Sequence, residues 1–281
     1  MNARTWRRLF DDRPARVASA VLALVALAAL AAPWLSPFDP TLQPDPVLLR
    51  LLAPSWTHPL GTDPYSRDVL SRLLHGARIS LGVAAGAMLL AATIGTTFGA
   101  IAAVFGGWAD AVISGLVDVL IAVPRLLIVV ALVATFGTLS PVWLVVLLGG
   151  SGWLTTARIV RAELRDTLQR EYVLAARALG ATTWRIIWQH LLPAVAPQVA
   201  VAAALALAAV IPLEAALSFV GLGVQPPLAS WGNILLDGTD YLTSAWWLVV
   251  FPVAAITGTV GAALVLADRL RAAIANEEPS T

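Results

Sequence analysis

Long uncharged runs alternate with short polar segments along this chain. A helix needs about 20 apolar residues to cross the hydrocarbon core of a bilayer, and several runs approach or exceed that length. The pattern predicts six membrane spans, at residues 17–35, 79–105, 111–137, 141–157, 194–214 and 246–267. We therefore expect an all-α polytopic membrane protein with six transmembrane helices, the last five of which form one core.

The first run also has features of a secretory signal peptide, because it follows a basic start and contains the small-residue sequence ALAA. Signal peptides have apolar cores of only about 7–15 residues. This run has 19 residues, from Val17 to Leu35. Its length favours an uncleaved membrane anchor.

Composition agrees with a membrane protein. Hydrophobic residues make up 59% of the 281 residues, and charged residues make up 12%. A soluble domain of this size carries about 25% charged residues. The formal net charge of +1 gives no indication of a nucleic-acid partner.

Two residue types are missing from the sequence. There is no cysteine, so the chain has no disulfide framework, thiolate metal ligand or cysteine nucleophile. All 18 basic residues are arginine, whereas a phosphate-binding loop of the Walker type needs a lysine. The chain cannot hydrolyse ATP by that route, so any ATP that drives it must bind to another subunit.

The arginines indicate the orientation in the membrane. With a cytoplasmic amino terminus, the cytoplasmic segments hold five arginines before the first span, six from Arg158 to Arg185 and two near the end. The outer segments hold four. Thirteen arginines in the cytoplasmic segments against four in the outer segments satisfy the positive-inside rule. Both termini and the loop at residues 158–193 are therefore predicted to be cytoplasmic.

This topology divides the chain into three parts. Residues 1–78 comprise the amino-terminal segment, the first span and an outer loop; residues 79–268 form the five-helix core; residues 269–281 form a cytoplasmic tail. Within the outer loop, residues 66–78 predict an amphipathic helix. Its apolar stripe consists of Val69, Leu70, Leu73 and Leu74. Its charged side consists of Arg67, Asp68 and Arg72.

The cytoplasmic loop has the start and stop signals of two helices. The first is predicted over residues 164–179 and ends at Gly180, because glycine reaches a positive φ without strain. Thr182 or Thr183 can cap the second helix, which is expected to end at Pro193. The small residues of the first helix should face a partner, and they are Ala175, Ala176 and Ala178. An apolar set of the second helix should pack against the membrane end of the bundle, and it consists of Trp184, Ile187, Trp188 and Leu191.

This loop resembles the cytoplasmic motif of binding-protein-dependent ABC importer permeases. That motif reads Glu-Ala-Ala, three residues, Gly, nine residues, Ile, one residue, Leu-Pro. Five positions match it at the same spacing, and they are Ala175, Ala176, Gly180, Leu192 and Pro193.

Two positions depart from the motif. Leu174 stands where the motif has Glu, and His190 stands where it has Ile. Glu171, nearly one helical turn before Leu174, is the candidate substitute for the missing acid. The resemblance implies that the loop inserts a short coupling helix, with these residues, into a groove of an ATPase subunit.

Three further passages resemble the C-type permease of dipeptide, oligopeptide and nickel importers. They are HPLGTDPYSRDVLSRLLHGARISL, GGWADAVISGLVDVLIAVP and EAALSFVGLGVQPPLASWGN. Together with the loop they occur in the family's order between about His58 and Asn233. One departure is Gly115, where the family often has an arginine three residues before the aspartate matched by Asp118.

The resemblance implies an ABC importer permease of type I in a bacterial cell membrane. Its implied partners are a homologous permease subunit, two ATPase subunits and an extracytoplasmic binding protein. ATP and Mg²⁺ would bind to the ATPases, so no cofactor and no catalytic residue is expected in this chain. Small peptides are the implied cargo, with nickel chelates as the alternative.

Three charged residues lie within or near the predicted spans: Asp118, Arg125 and Glu214. Asp118 and Arg125 are two helical turns apart on one face, and we expect them to pair with each other or with a partner subunit rather than to bind substrate. Pro124 predicts a kink beside Arg125. Glu214 is expected either to line the pathway or to make a structural hydrogen bond.

Other functions make different predictions. His58, His75 and His190 lack the close helical spacing of a metal site, so no metal ligand is predicted. An ion-coupled secondary transporter would need an inverted repeat and acids arranged for ion coupling, and it leaves the motif of the cytoplasmic loop unexplained. A non-transporting membrane scaffold is the remaining alternative. Neighbouring genes for an ATPase and a secreted binding protein would argue against both.

Overall fold

The computed structural model describes residues 11–136 and 140–275, which form helices and no named strand. Predictions for the first ten residues, for Gly137 and for residues 276–281 lie outside these ranges. The described helices are α1 Arg13–Leu30, α2 Ala32–Leu35, α3 Val69–Phe105, α4 Gly107–Ala122, α5 Arg125–Phe136, α6 Pro141–Leu168, α7 Glu171–Ala178, α8 Thr183–Ile186, a π-helical segment Ile187–Leu191, α9 Leu192–Phe219, α10 Trp231–Gly238, a 3₁₀ turn Thr239–Tyr241 and α11 Trp247–Ala275.

The predicted all-α fold with six spans is confirmed when one broken span is counted. Five helical segments of the described chain are long and apolar enough to cross a membrane: α1, α3, α6, the continuous segment Thr183–Phe219, and α11. The sixth is the pair α4 and α5, which are bent by 84°. The helix breaks at Pro124 because proline has no amide hydrogen to donate and disfavours helical geometry at Val123. The expected kink is thus a sharp turn.

The separate amphipathic helix predicted at residues 66–78 is wrong. Its residues from Val69 onward are the first turns of α3, which is capped where the Asp68 carboxylate accepts the amide hydrogen of Ser71 over 2.8 Å. The side chains of Arg67, Asp68 and Arg72 are buried. The prediction assumed that these charges face water, whereas Asp63 and Asp237 bind the two arginines and His58 lies beside Asp68.

Small residues bring α3 and α6 together at the centre of the bundle. A Cβ at Gly99 would lie 2.7 Å from the carbonyl oxygen of Ala157, closer than real atoms approach. A Cβ at Gly149 would lie 2.8 Å from the Cβ of Leu90. Gly149 of α6 is therefore part of the surface on which the two helices pack. The largest buried cluster then joins α3 and α6 to α5, α9 and α10.

Candidate functional site

The cytoplasmic loop contains a break that the sequence does not predict. Instead of one helix over residues 164–179, the chain forms α6 and α7 with a turn between them. The Gln169 amide donates to the Asp166 carbonyl over 3.0 Å, and Arg170 is extended, with φ −69° and ψ 141°. The Arg170 guanidinium donates to the Asp166 carboxylate over 3.1 Å, which raises the pKa of Arg170. The turn makes α7 a separate short helix.

One buried side chain anchors α7 to the bundle. Val173 is fully buried in a cluster contributed by α3, α6, α8 and the helical segment after it: Ala103, Val160, Leu164, Ile186, Leu191 and Val195. The opposite side of α7 is open, since Glu171 and Ala175 are exposed and Leu174 is 51% exposed. Ala176 is half-buried. The matched alanines and Leu174 therefore lie on a small surface of α7, and Val173 attaches this helix to the bundle.

Gly180 ends α7 with the predicted backbone conformation. Its φ is +85°, in the left-handed region that favours glycine. Its amide donates to the Arg177 carbonyl over 2.9 Å, and the Ala181 amide donates to the Ala176 carbonyl over 3.0 Å. These two bonds form a Schellman motif. Thr182 then caps the next helix by accepting the Arg185 amide over 3.3 Å, so the predicted glycine corner is confirmed.

The second helix of the loop does not end at Pro193. Instead, Leu192 and Pro193 are the first residues of α9, and helical structure continues from Thr183 to Phe219. Pro193 cannot donate a backbone hydrogen bond, and the chain before it widens into a π-helical segment in which the Leu192 amide bonds to the Ile187 carbonyl. The loop is therefore joined rigidly to the fifth span.

The predicted packing of the two tryptophans is also wrong. Trp184 is 67% exposed and Trp188 is 56% exposed, and their rings contact each other edge to face at 5.5 Å. The other two members of the predicted set do pack against the bundle, since Leu191 is buried and Ile187 is half-buried in the same cluster as Ile186.

Acids on α4 bind arginines in the second half of α6. Asp110 accepts hydrogen bonds from Arg161, with Nη2 at 2.9 Å, and from Arg165, with Nη2 at 2.5 Å. Asp118 accepts from Arg158 over 2.6 Å. Of the two predicted pairings, that of Asp118 with Arg125 is therefore wrong, because α4 and α5 meet at 84°, and pairing with a partner subunit stays a prediction.

Arg125 has neutral partners. Its Nε donates to the Ser151 hydroxyl over 3.1 Å, and its Nη2 donates to the Leu148 carbonyl oxygen. The side chain borders a cleft of about 460 Å³ between α6 and the α4–α5 break. Its surroundings combine this one cation with apolar side chains and hydroxyl groups.

Glu214 is fully buried and makes structural hydrogen bonds. Its carboxylate accepts from the Ser80 hydroxyl over 2.8 Å and from the Ser218 hydroxyl over 2.8 Å. Ser80 in turn accepts the Trp231 amide over 3.2 Å. Of the two expected roles for Glu214, the described structure therefore shows the hydrogen bond, which links α9 to α3 and α10.

An ionic cluster of buried and half-buried side chains at the start of α3 was not predicted. Its members are Asp63, Arg67, Arg72 and Asp237, and it links the outer loop to α10. Asp63 also accepts the Arg67 amide over 2.9 Å. The spacing of Asp63 and Arg67, one helical turn apart, could have indicated their pairing, but no local signal indicates Asp237.

The histidines have other neighbours. His58 Nδ1 lies 2.9 Å from a carboxylate oxygen of Asp68, and its ring stacks on Phe38. The His190 ring packs beside Tyr172. Within residues 11–136 and 140–275, no group of three or more histidine, aspartate or glutamate residues is placed to hold a metal ion.

Comparison with protein families gives two matches. Residues 95–277 match the family described as "Binding-protein-dependent transport system inner membrane component". Residues 2–54 match the "N-terminal TM domain of oligopeptide transport permease C". The first match contains the whole cytoplasmic loop, and the second contains α1.

Several curated proteins are similar over nearly the whole chain. The dipeptide transport system permease protein DppC of Bacillus subtilis is 38% identical over 270 residues, which cover 96% of this chain and 83% of the relative. The di/tripeptide transport system permease protein DppC of Pseudomonas aeruginosa is 35% identical over 277 residues, covering 96% and 90%. A putative peptide transport system permease protein of Brucella abortus is 37% identical over 268 residues, covering 95% and 89%.

Proposed function

This chain belongs to the family of binding-protein-dependent transport system inner membrane components, as a C-type permease, and we propose that it forms half of the translocation path of an ATP-driven importer of small peptides. The other half is a homologous permease subunit. An extracytoplasmic binding protein delivers the peptide to the outer face. The chain itself carries out no covalent chemistry.

The exposed surface of α7 carries this proposal. It lies on a short helix that is anchored by Val173 and closed by Gly180, and it presents Leu174 and Ala175 to the outside. Exposed apolar side chains on a supported surface are a feature of protein docking sites. We propose that an ATPase subunit binds here and that a second ATPase binds the equivalent loop of the partner permease.

The rigid connection of the loop to α9 supports a coupling role. Because helical structure is continuous from Thr183 to Phe219, a displacement of α7 and α8 is transmitted to a helix that crosses the membrane. ATP-driven closure of the two ATPases would move the two coupling helices and switch the path between inward and outward access. ATP and Mg²⁺ bind to the ATPases in this scheme.

The cargo and the orientation are further parts of the proposal. The relatives described above are named for dipeptide, di/tripeptide or peptide transport, which favours peptides over nickel chelates. The arginines of the cytoplasmic loop support a bacterial inner-membrane protein with both termini in the cytoplasm. The exposed apolar side chains of the outer segment, among them Trp56, then face the binding protein.

Co-purification tests the docking surface. Ala175→Trp places a large side chain on the exposed face of α7, so we expect the purified permease pair to lose its ATPases. Ala53→Trp is the matched control, because Ala53 is an exposed alanine of the outer segment, and it should retain them. ATPases that remain bound to Ala175→Trp with normal peptide uptake would contradict the proposed docking site.

A further inference from the structure

Arg125 differs from the other arginines of the described chain that are not exposed, because those three form ion pairs. Seven arginines have a carboxylate partner within ion-pair distance, at positions 67, 72, 158, 161, 165, 170 and 269. Arg125 forms no ion pair with any residue in the ranges 11–136 and 140–275, and its partners there are a hydroxyl and a carbonyl. Its positive charge is therefore not neutralised by the part of this chain that the structure describes.

The Arg125 guanidinium also keeps donor capacity. An arginine side chain has five N–H groups, and the two described bonds use the Nε hydrogen and one hydrogen of Nη2. Both hydrogens of Nη1 and one of Nη2 remain. A planar group with adjacent free donors matches the two oxygens of a carboxylate.

The space beside this guanidinium is large enough for a small peptide. The cleft of about 460 Å³ lies within the range of roughly 300–1,000 Å³ found for small-molecule sites. Ser151 and Thr155 contribute hydroxyl groups, and the remaining walls are mainly apolar, including Leu120, Ile128 and Leu147. One cation among apolar walls and hydroxyl groups suits a ligand with one anionic end.

Arg125 also lies deep in the bundle. Its partner Ser151 is ten residues beyond Pro141, where α6 begins, and therefore lies about 15 Å along the helix axis. That distance from the start of α6 is half the thickness of a hydrocarbon core of about 30 Å. A charged residue at such a depth is costly and usually faces the interior of the bundle or a water-filled path.

We propose that Arg125 binds the carboxylate end of the peptide cargo as it passes through the translocation path. This inference rests on the proposed function, since it assigns one contact within the path of a peptide importer. Ser151 positions the guanidinium through Nε, and the free donors face the carboxylate. The apolar walls of the cleft then accommodate the rest of a short peptide without selecting its side chains.

The test uses the complete importer in proteoliposomes with its ATPases and binding protein. Two cargos are compared, alanylalanine and its carboxamide, each at a concentration that gives the same occupancy of the binding protein. Arg125→Gln should lower the uptake of alanylalanine about tenfold, the loss expected for one charge-assisted hydrogen bond. Its uptake of the carboxamide should stay within about twofold of the wild type because no carboxylate contact is lost.

Two further variants separate charge from folding. Arg125→Lys keeps the positive charge and should import alanylalanine faster than Arg125→Gln does. Arg78→Gln removes an exposed arginine of α3 and should leave the uptake of both cargos unchanged. The partner permease and the ATPases should co-purify with every variant.

The outcomes that overturn the inference are distinct. Equal loss of both cargos in Arg125→Gln would show that Arg125 does not recognise the carboxylate. Loss of the partner permease from that variant would instead assign the guanidinium to a carboxylate of the partner. A wild-type assembly that hydrolyses ATP but imports neither peptide would contradict the proposed peptide function itself.

Discussion

Arg72 of α3 donates from Nη1 to Oδ2 of Asp63 over 2.5 Å, and both side chains are buried. The same Nη1 donates to Oδ2 of Asp237 over 2.7 Å, and Arg67 bonds to both acids. The outer loop, the start of α3 and the end of α10 are therefore held together by charges shielded from water. This cluster fixes the shape of the surface that meets the binding protein in the proposed function.

Removing one member of this cluster should be strongly destabilising. Asp63→Asn leaves Arg67 and Arg72 with reduced compensation in a buried site, at an expected cost of about 3–5 kcal/mol. Asp166→Asn is the control, because the Asp166–Arg170 pair is largely exposed in the loop at residues 158–193 and such pairs contribute only about 0–1 kcal/mol. The midpoint of thermal unfolding in detergent measures both. Equal midpoints for the two variants would contradict the importance of burial.

The orientation can be tested with single cysteines, because the natural chain has none. Trp56 is fully exposed in the outer segment, and Thr182 is exposed beside Gly180. A membrane-impermeant thiol reagent added to intact spheroplasts should label Trp56→Cys and spare Thr182→Cys. Both should react after the membrane is permeabilised. Labelling of Thr182→Cys in intact spheroplasts would reverse the proposed topology.

The close approach of α3 and α6 predicts a difference between two glycines of the same helix. Gly99→Ala places a methyl group against the Ala157 carbonyl and should cost about 1–3 kcal/mol by overpacking. No atom of the described residues lies within 4 Å of a Cβ at Gly82, so Gly82→Ala should leave the unfolding midpoint unchanged or raise it. A midpoint for Gly99→Ala that equals that of Gly82→Ala would contradict this packing.

Features set by local sequence could be predicted, and features set by distant partners could not. Apolar run length indicates the spans, and the position of Gly180 after a helical segment indicates its positive φ, because both depend on neighbouring residues. The burial of Arg72 depends on Asp237, which lies 165 positions away in the sequence. No pattern within a single segment reveals that contact.

The pairing predicted for Asp118 and Arg125 assumed that the helix between them continues regularly. Asp118 and Arg125 face the same side only in an unbroken helix, but α4 and α5 meet at 84°. Breaks of this kind arise where a proline removes a backbone donor.

The coupling role of the corner after α7 is the central claim, and Gly180 allows it to be tested without changing an exposed side-chain contact. No atom of the described residues lies within 4 Å of a Cβ at Gly180, whose φ is +85°. A substitution there therefore acts through the backbone. Asparagine tolerates this conformation, whereas a β-branched valine resists it. Gly180→Asn should behave nearly like the wild type, and Gly180→Val should displace α7 relative to α8.

The most direct measurement is the ratio of peptide imported to ATP hydrolysed in proteoliposomes, determined together with the amount of ATPase that co-purifies. We predict that Gly180→Val inserts normally but either loses its ATPases or hydrolyses ATP without importing peptide, and that Gly180→Asn keeps most of the wild-type ratio. Wild-type import by Gly180→Val with both ATPases bound would show that this corner does not couple ATP hydrolysis to transport.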